Sequence, residues 1–277
     1  MNSPPALFDF SHRSERLARA ATLPPADYLL REIAGQLQER LLEVNKVFTD
    51  RIVVTDRPVI WEESLNARLV SADETLKLAP ESVDLIIHAM NLHWSNDPVG
   101  QLVQTRRALR PDGLMIAIMF AGQTLHELRA AFAEAEIETT GGISPRVAPM
   151  GEIRDLGGLI QRAGLALPVA DTVKLTVTYA TPITLMHDLR AMAETNMMTD
   201  RRRTSLRRDT LNRMVEIYHS RFGLPDGRIP ATFEIVFLTG WAPSANQQKP
   251  LRPGSAQSRL ADALNSAEQP AGDKAAH

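Results

Sequence analysis

Residues 51 to 120 hold short apolar runs that alternate with polar or helix-forming stretches. The runs are Ile52–Val54, Arg68–Val70, Val83–Ile87 and Leu114–Phe120. Near-continuous apolar strands of this kind are typical of a parallel sheet that is covered by helices on both faces. Two later runs, Val173–Tyr179 and Phe233–Thr239, predict a final pair of strands. The sequence therefore predicts an α/β fold.

The chain divides into three parts by composition and periodicity. Residues 1–50 are predicted to be an N-terminal helical segment, because Leu29, Ile33 and Leu37 recur at helical spacing. Residues 51–243 form the predicted α/β domain, with a helical insertion at about residues 181–222. Residues 244–277 are polar with scattered proline and alanine, and we expect a mobile tail there.

No glycine lies between Gly35 and Gly100. A dinucleotide-type fold places a nucleoside or phosphate against the first strand-to-helix turn, where glycines allow the backbone to approach the ligand. Here the first predicted strand, Arg51–Asp56, continues directly into Arg57 and Pro58. Arginine is bulky, and proline has a fixed φ and lacks an N–H donor. The usual cofactor clamp is therefore predicted to be absent.

The bulk composition excludes several classes of function. The formal net charge of −2 gives no overall positive field, so we expect no nucleic-acid partner. The absence of cysteine excludes disulfides, thiolate nucleophiles and cysteine metal sites. No apolar run approaches the roughly 18 residues of a membrane span. No membrane span and cytoplasmic residence are the resulting expectations.

Several motifs occur in a fixed order over about residues 7 to 243. They are Asn91–Pro98, Leu109–Gly113, Gly122–Arg129, Gly141–Pro145, Asp155–Gly158, Arg162–Gly164 and Pro230–Phe233. Together they resemble the class I S-adenosylmethionine methyltransferase-like family that includes the mitochondrial complex I assembly factor and arginine hydroxylase, and its alphaproteobacterial relatives. More distantly, they are similar to malonyl-carrier-protein methyltransferases. The resemblance implies a Rossmann-like sheet, S-adenosylmethionine as cofactor, and a role in respiratory-complex assembly.

The chain departs from this family at the cofactor turn. Relatives carry a strand that ends in Asp-Leu-Gly-Cys-Gly, then a helix, then a second strand that ends in an acidic residue. Either Val53–Asp56 is the second, ribose-side strand and the glycine turn with its helix is deleted, or Arg51–Asp56 fills the place of the first strand and the second is lost. In both cases the sheet is truncated by about one strand–helix unit. The gap could be closed by the first strand, by the N-terminal helix or by a second subunit.

The resemblance assigns candidate roles to a few side chains. Asp56 is a candidate for binding the ribose hydroxyls, or else a strand-end cap. Asp73 and Glu74 are candidates for accepting a hydrogen bond from the adenine amino group, or else belong to a polar loop. His93 is the candidate catalytic base and Trp94 a candidate cofactor contact, at the strand end where ligands dock; alternatively, the two rings pack against the following helix. No histidines have metal-ligand spacing, so we predict no metal site.

A basic cluster follows in the helical insertion. It consists of Arg201, Arg202, Arg203, Arg207 and Arg208. Such a cluster is suited to an acidic partner surface, a phosphate or a nucleic acid, and the plain alternative is a solvated helix start. Because the whole chain is slightly acidic, we interpret the cluster as a binding surface for a protein or an acidic ligand.

Two classes of function remain. In the first, the chain is a methyltransferase-fold protein with a degenerate cofactor site, which acts by recognising a protein partner, as in respiratory-complex assembly. In the second, it is an active S-adenosylmethionine-dependent methyltransferase with a rebuilt cofactor pocket. A hydroxylase is a lesser third possibility. The missing glycine turn favours the first class, and we expect no high-affinity binding of S-adenosylmethionine.

Overall fold

The centre of the computed structural model is a six-stranded sheet with the strand order β2-β1-β3-β4-β6-β5. The strands are β1 (Arg51–Val54), β2 (Arg68–Val70), β3 (Val83–Ala89), β4 (Leu109–Ala121), β5 (Ala166–Tyr179) and β6 (Ile229–Trp241). The first four strands are parallel, and β6 runs antiparallel between β4 and β5. The predicted α/β class is confirmed. The structure describes residues 6–247.

Eight α-helices surround the sheet in the described part of the chain. They are α1 (Phe10–Ala20), α2 (Tyr28–Glu43), α3 (Pro58–Ser64), α4 (Pro98–Ala108), α5 (His126–Thr140), α6 (Ile153–Arg162), α7 (Pro182–Ala191) and α8 (Arg208–Phe222). The N-terminal segment contains two helices, α1 and α2, and the insertion between β5 and β6 contains α7 and α8. Of the predicted mobile tail, residues 248–277 lie outside the described residues.

The strands are apolar on both sides because helices cover both faces of the sheet. On β3, Leu85 and Ile87 join the core that includes Leu37 of α2, whereas Ile86 joins the core that includes Leu102 of α4. Successive side chains of a strand point to opposite faces, so a buried strand must be apolar at every position. This requirement explains the continuous apolar runs of the sequence.

On the truncated side of the sheet, β1 pairs directly with β3, and β2 forms the edge. Ile52 pairs with Ile86 and Val53 with Ile87, so β1 lies directly beside β3. A Rossmann sheet has the strand order 3-2-1-4-5-6, so strands 1, 2 and 3 all lie on one side of strand 4. In this chain β3 corresponds to strand 4 of that order. Here two strands, β1 and β2, lie on that side of β3. The place beside β3 is therefore filled by β1, whichever of the two family strands β1 corresponds to.

Of the arginine cluster, only Arg207 and Arg208 lie at a helix start, which was the plain alternative for the whole cluster. Residues 201–206 have no helical structure, α8 begins at Arg208, and Arg207 is the residue before its first turn. The β5 strand is also longer than its predicted run, because it pairs with β6 from Ala166 to Tyr179. The added segment Ala166–Ala170 is apolar but contains Pro168, a residue that argues against a strand except at an edge or a bulge, and the register of β5 and β6 shifts there between Ala166 and Val169.

His88 on β3 is a buried titratable residue whose effect on stability can be measured. Its side chain is fully buried, and its Nε2 lies 2.7 Å from the Thr105 hydroxyl of α4. Burial lowers the pKa of His88 to about 4. Unfolded histidine has a pKa of about 6.5, so the unfolded chain binds this proton more readily between those two values. The contribution of neutral His88 to stability is present above pH 6.5 and is lost as the pH falls towards 4.

We predict that the protonation equilibrium of His88 lowers the free energy of unfolding by about 2 kcal/mol when the pH is lowered from 7 to 5. Urea denaturation at both pH values measures the loss. A His88→Gln variant, whose amide can still reach Thr105, should lack this part of the pH dependence. Equal pH dependence in the two proteins would contradict the prediction.

Candidate functional site

An ion pair joins α1 to the carboxyl end of β1. Arg13 of α1 approaches Asp56 Oδ2 with its Nε at 2.8 Å and its Nη2 at 2.7 Å. The side chains are 7% and 14% exposed, so both charges are largely removed from water. Charge-assisted hydrogen bonds of this kind compensate for the lost hydration of a buried carboxylate. The carboxylate predicted to bind ribose is thus bound by the chain itself.

Glu194 is a second buried carboxylate in the same region. Its Oε2 lies 3.1 Å from His93 Nε2 and accepts a hydrogen bond of 2.9 Å from Trp94 Nε1. Burial raises the pKa of Glu194, but the charge and hydrogen bond of His93, the charge of Arg13 and the hydrogen bond of Trp94 outweigh burial and hold the pKa below its ordinary value. Glu194 follows α7, and no sequence motif pointed to it.

The predicted site residues are linked through these two carboxylates. The Arg13 guanidinium lies 5.6 Å from the centre of the Trp94 ring, which connects the Asp56 pair to the Glu194 group. The His93 side chain is 6% exposed, its ring stands against Phe120 at 5.1 Å, and it lines neither of the two cavities described below. A catalytic role for His93 stays a prediction.

A cavity of about 760 Å³ lies at the carboxyl ends of β1 and β2, and we call it the strand-end cavity. Asp56, Asp73 and Glu74 line it together, as parallel strand ends would require. Asp73 and Glu74 are exposed, whereas Asp56 is bonded to Arg13. Trp94, the fourth predicted cofactor contact, does not line this cavity. The structure therefore brings together three of the four residues.

The turn after β1 is fixed by contacts within the chain. The backbone N–H of Arg57 donates to the Thr55 hydroxyl at 3.1 Å. The Arg57 guanidinium donates to the Met192 carbonyl after α7 and forms an ion pair with Asp27 at 3.2 Å. Pro58 begins α3 and has no N–H. The residues of this turn do not fit the phosphate- or nucleoside-binding geometry of a glycine turn.

A second cavity, of about 610 Å³, lies beside α1, α5 and α7, and we call it the arginine-rimmed cavity. Trp94 and Glu194 form part of its wall, with apolar side chains of α5 and α7. Its basic lining residues are His12, Arg16, Arg146, Arg190, Arg201, Arg202 and Arg203. From the predicted cluster, Arg207 and Arg208 do not line it; Arg207 pairs with Asp209 at 2.6 Å.

Part of the shared motif around His93 has a structural role. The Asp97 side chain accepts a hydrogen bond from the Gly100 N–H at 2.8 Å and so caps α4. A Cβ atom at Gly100 would lie 2.1 Å from Asp97 Oδ2, so a larger residue here would displace the capping side chain. Asn96 exchanges two hydrogen bonds with the backbone of Phe8, which attaches the N-terminal segment. The contacts of these motif residues stabilise the fold.

Two further findings concern residues 6–247 as a whole. No three or more histidine, aspartate or glutamate side chains in this range are grouped to hold a metal ion. None of the helices in this range combines the length and apolar character that crossing a bilayer requires.

The sheet and its carboxyl-edge cavities define a protein of the class I methyltransferase-like class. A methyltransferase domain model matches residues 46–117. The chain is 33% identical to the arginine-hydroxylase NDUFAF5 of Danio rerio, over 85% of this chain and 82% of that protein. The corresponding protein of Rattus norvegicus is 32% identical, over 94% and 85%. Both relatives are named as mitochondrial. The chain belongs to the methyltransferase-like family of these NDUFAF5 proteins.

Two further similarities are more limited. A malonyl-[acyl-carrier protein] O-methyltransferase of Laribacter hongkongensis is 35% identical over 67% of this chain and 60% of that protein. The solved YcgJ protein of Bacillus subtilis covers 76% of this chain and 99% of its own, with 11% identity and a TM-score of 0.47. The alignment to the Danio rerio protein has 266 positions but includes 85% of this chain, so about 30 positions face no residue here.

We predict that Arg13→Ala lowers the free energy of unfolding by about 3 kcal/mol, because the variant leaves Asp56 as a buried charge without its partner. Chemical denaturation measures the change. Arg31→Ala is the matched control, since the Arg31–Glu63 pair is more than half exposed and should contribute little to stability. Similar losses in the two variants would contradict the assigned role of Arg13.

Proposed function

We propose that this methyltransferase-fold protein acts by binding a protein partner in the assembly of a respiratory complex, and that its S-adenosylmethionine site is degenerate. The ion pair between Arg13 and Asp56 is the observation that carries this proposal. It engages the carboxylate that the family resemblance assigns to the ribose hydroxyls. The resemblance to assembly factors supplies the biological process.

The turn after β1 supports the degenerate cofactor site independently. Tight cofactor binding at such a turn depends on close approach of the backbone, and Arg57 and Pro58 do not permit it. The pairing of β1 with β3 leaves the sheet closed without the missing strand–helix unit.

The arginine cluster supports partner recognition. Arg207 and Arg208 are exposed at the start of α8, outside the arginine-rimmed cavity. Guanidinium groups bind carboxylates through two parallel hydrogen bonds, which suits an acidic protein surface. The binding would depend on salt because the charges face water. We also propose cytoplasmic residence, as the sequence predicts, which fractionation of the native cells can test.

The second candidate function is an active methyltransferase with a rebuilt pocket. The strand-end cavity favours it, because its volume of about 760 Å³ suits a small-molecule ligand. Asp73 and Glu74 line this cavity with exposed carboxylates, which are available as hydrogen-bond acceptors. Two observations oppose this candidate. Asp56 is already bonded to Arg13, and the turn after it is held by the hydrogen bond from the Arg57 N–H to the Thr55 hydroxyl.

Arginine hydroxylation, the activity in the names of two relatives, is not part of the proposal. An arginine side chain that entered the arginine-rimmed cavity would approach Arg16, Arg190 and Arg203. Like charges repel at short range, and no acidic side chain lines this cavity except Glu194, which is already bonded to His93 and Trp94.

We predict that isothermal titration calorimetry detects no binding of S-adenosylmethionine or S-adenosylhomocysteine at millimolar concentration. A family member that retains the Asp-Leu-Gly-Cys-Gly turn serves as the positive control. Micromolar binding would support the methyltransferase alternative instead. In that case, loss of the binding in an Asp56→Ala variant would assign the heat to the strand-end cavity.

We predict that Arg207→Gln/Arg208→Gln weakens capture of the native partner about fivefold or more, since two exposed cations are removed from the proposed surface. Quantitative affinity purification from the native host measures the capture. Arg154→Gln/Arg162→Gln is the matched control, because it removes two exposed arginines from α6. A wild-type chain that purifies without a partner, or equal capture by both variants, would contradict the proposal.

A further inference from the structure

The interior of the arginine-rimmed cavity is apolar. Phe120 of β4, Phe132 of α5 and Phe233 of β6 line it, and each is at most 5% exposed. Met186 and Leu189 of α7 complete this surface. Its volume of about 610 Å³ lies within the range of roughly 300 to 1,000 Å³ that is usual for small-molecule sites. The shape and lining of the cavity therefore suit an apolar group of a small ligand.

The rim of the same cavity carries an excess of positive charge. Arg201 pairs with Asp9, and Arg146 pairs with Glu136. In contrast, Arg16, Arg190 and Arg203 form no salt bridge with any carboxylate of residues 6–247. The three side chains come from α1, α7 and the segment before α8, so separate parts of the chain bring their charges to one opening.

The charges on this rim repel one another. Burial lowers the pKa of Arg16, and the neighbouring charges of Arg19, Arg201 and Arg190 lower it further. Burial likewise lowers the pKa of His12, and Arg201 and Arg16 add to the effect. A nearby cation disfavours the charged form of a basic group, so part of each shift reflects the excess of positive charge at the rim. Glu15 offsets this excess in part at Arg16, and Asp9 and Glu15 offset it in part at His12. An anion bound at the rim would relieve the excess.

We propose that the arginine-rimmed cavity binds a small amphipathic anion, with its apolar chain or ring on the phenylalanine surface and its carboxylate or phosphate at Arg16, Arg190 and Arg203. Both headgroups match the planar donor array of arginine. This site is separate from the strand-end cavity and goes beyond the proposed function, in which Arg207 and Arg208 meet a protein.

The probe is decanoate, titrated into the full-length protein by calorimetry at low ionic strength. Decyltrimethylammonium and decanol carry the same chain with a positive or a neutral headgroup. We expect saturable binding of one decanoate per chain, with the neutral and cationic compounds at least tenfold weaker. Decyl phosphate as a second anion distinguishes a carboxylate site from a phosphate site. Absence of saturable decanoate binding, or equal binding of the cationic compound, would overturn the proposal.

Two double variants locate the site. Arg190→Gln/Arg203→Gln removes two exposed rim arginines and should weaken decanoate binding about tenfold. Arg207→Gln/Arg208→Gln removes the same charge from outside the cavity and should leave decanoate binding unchanged. Equal losses in both variants would overturn the proposed site. Should the first variant fail to fold, the comparison of headgroups on the wild-type protein decides the question. Since the partner experiment uses Arg207 and Arg208, the two proposals can fail separately.

Discussion

The direct pairing of β1 with β3 is the constraint on which the rest of the structure depends. Ile52, Val53 and Val54 are at most 1% exposed, so their backbone groups need partners within the sheet. The pairing with β3 and β2 supplies those partners on both sides of β1. It also places the residues after Val54 at the crevice where parallel sheets bind ligands. The integrity of the sheet is thereby independent of the glycine turn that a cofactor would need.

The N-terminal helix α1 supplies an ion-pair partner at the carboxyl end of β1. A largely buried carboxylate needs a positive partner, and Arg13 provides that partner for Asp56. Arg57, in the same turn, connects the start of α2 with the end of α7 through Asp27 and Met192. The side chains of Asp56 and Arg57 after β1 thus form contacts within the chain.

The local features were predictable from the sequence, and the long-range contacts were not. Apolar runs located β1, β3 and β4, because strands buried on both faces leave a continuous pattern. The resemblance assigned both Asp56 and Asp73 to a cofactor, and the structure places them in one cavity because both follow parallel strands. Arg13 and Glu194 carry no such signal, since each reaches its partner across many residues and from an unremarkable segment. The β5 strand was underestimated because its first part contains Pro168, which argues against a strand.

Arg13 belongs to the wall between the two cavities. It lines the strand-end cavity and binds Asp56 there, while its guanidinium lies against Trp94, which lines the arginine-rimmed cavity. The charge of Arg13 also helps to keep Glu194 ionised in its buried position. Movement of Arg13 away from this wall would remove a positive neighbour from both carboxylates at once. The Arg13 side chain is therefore a charged group that contacts residues of both cavities.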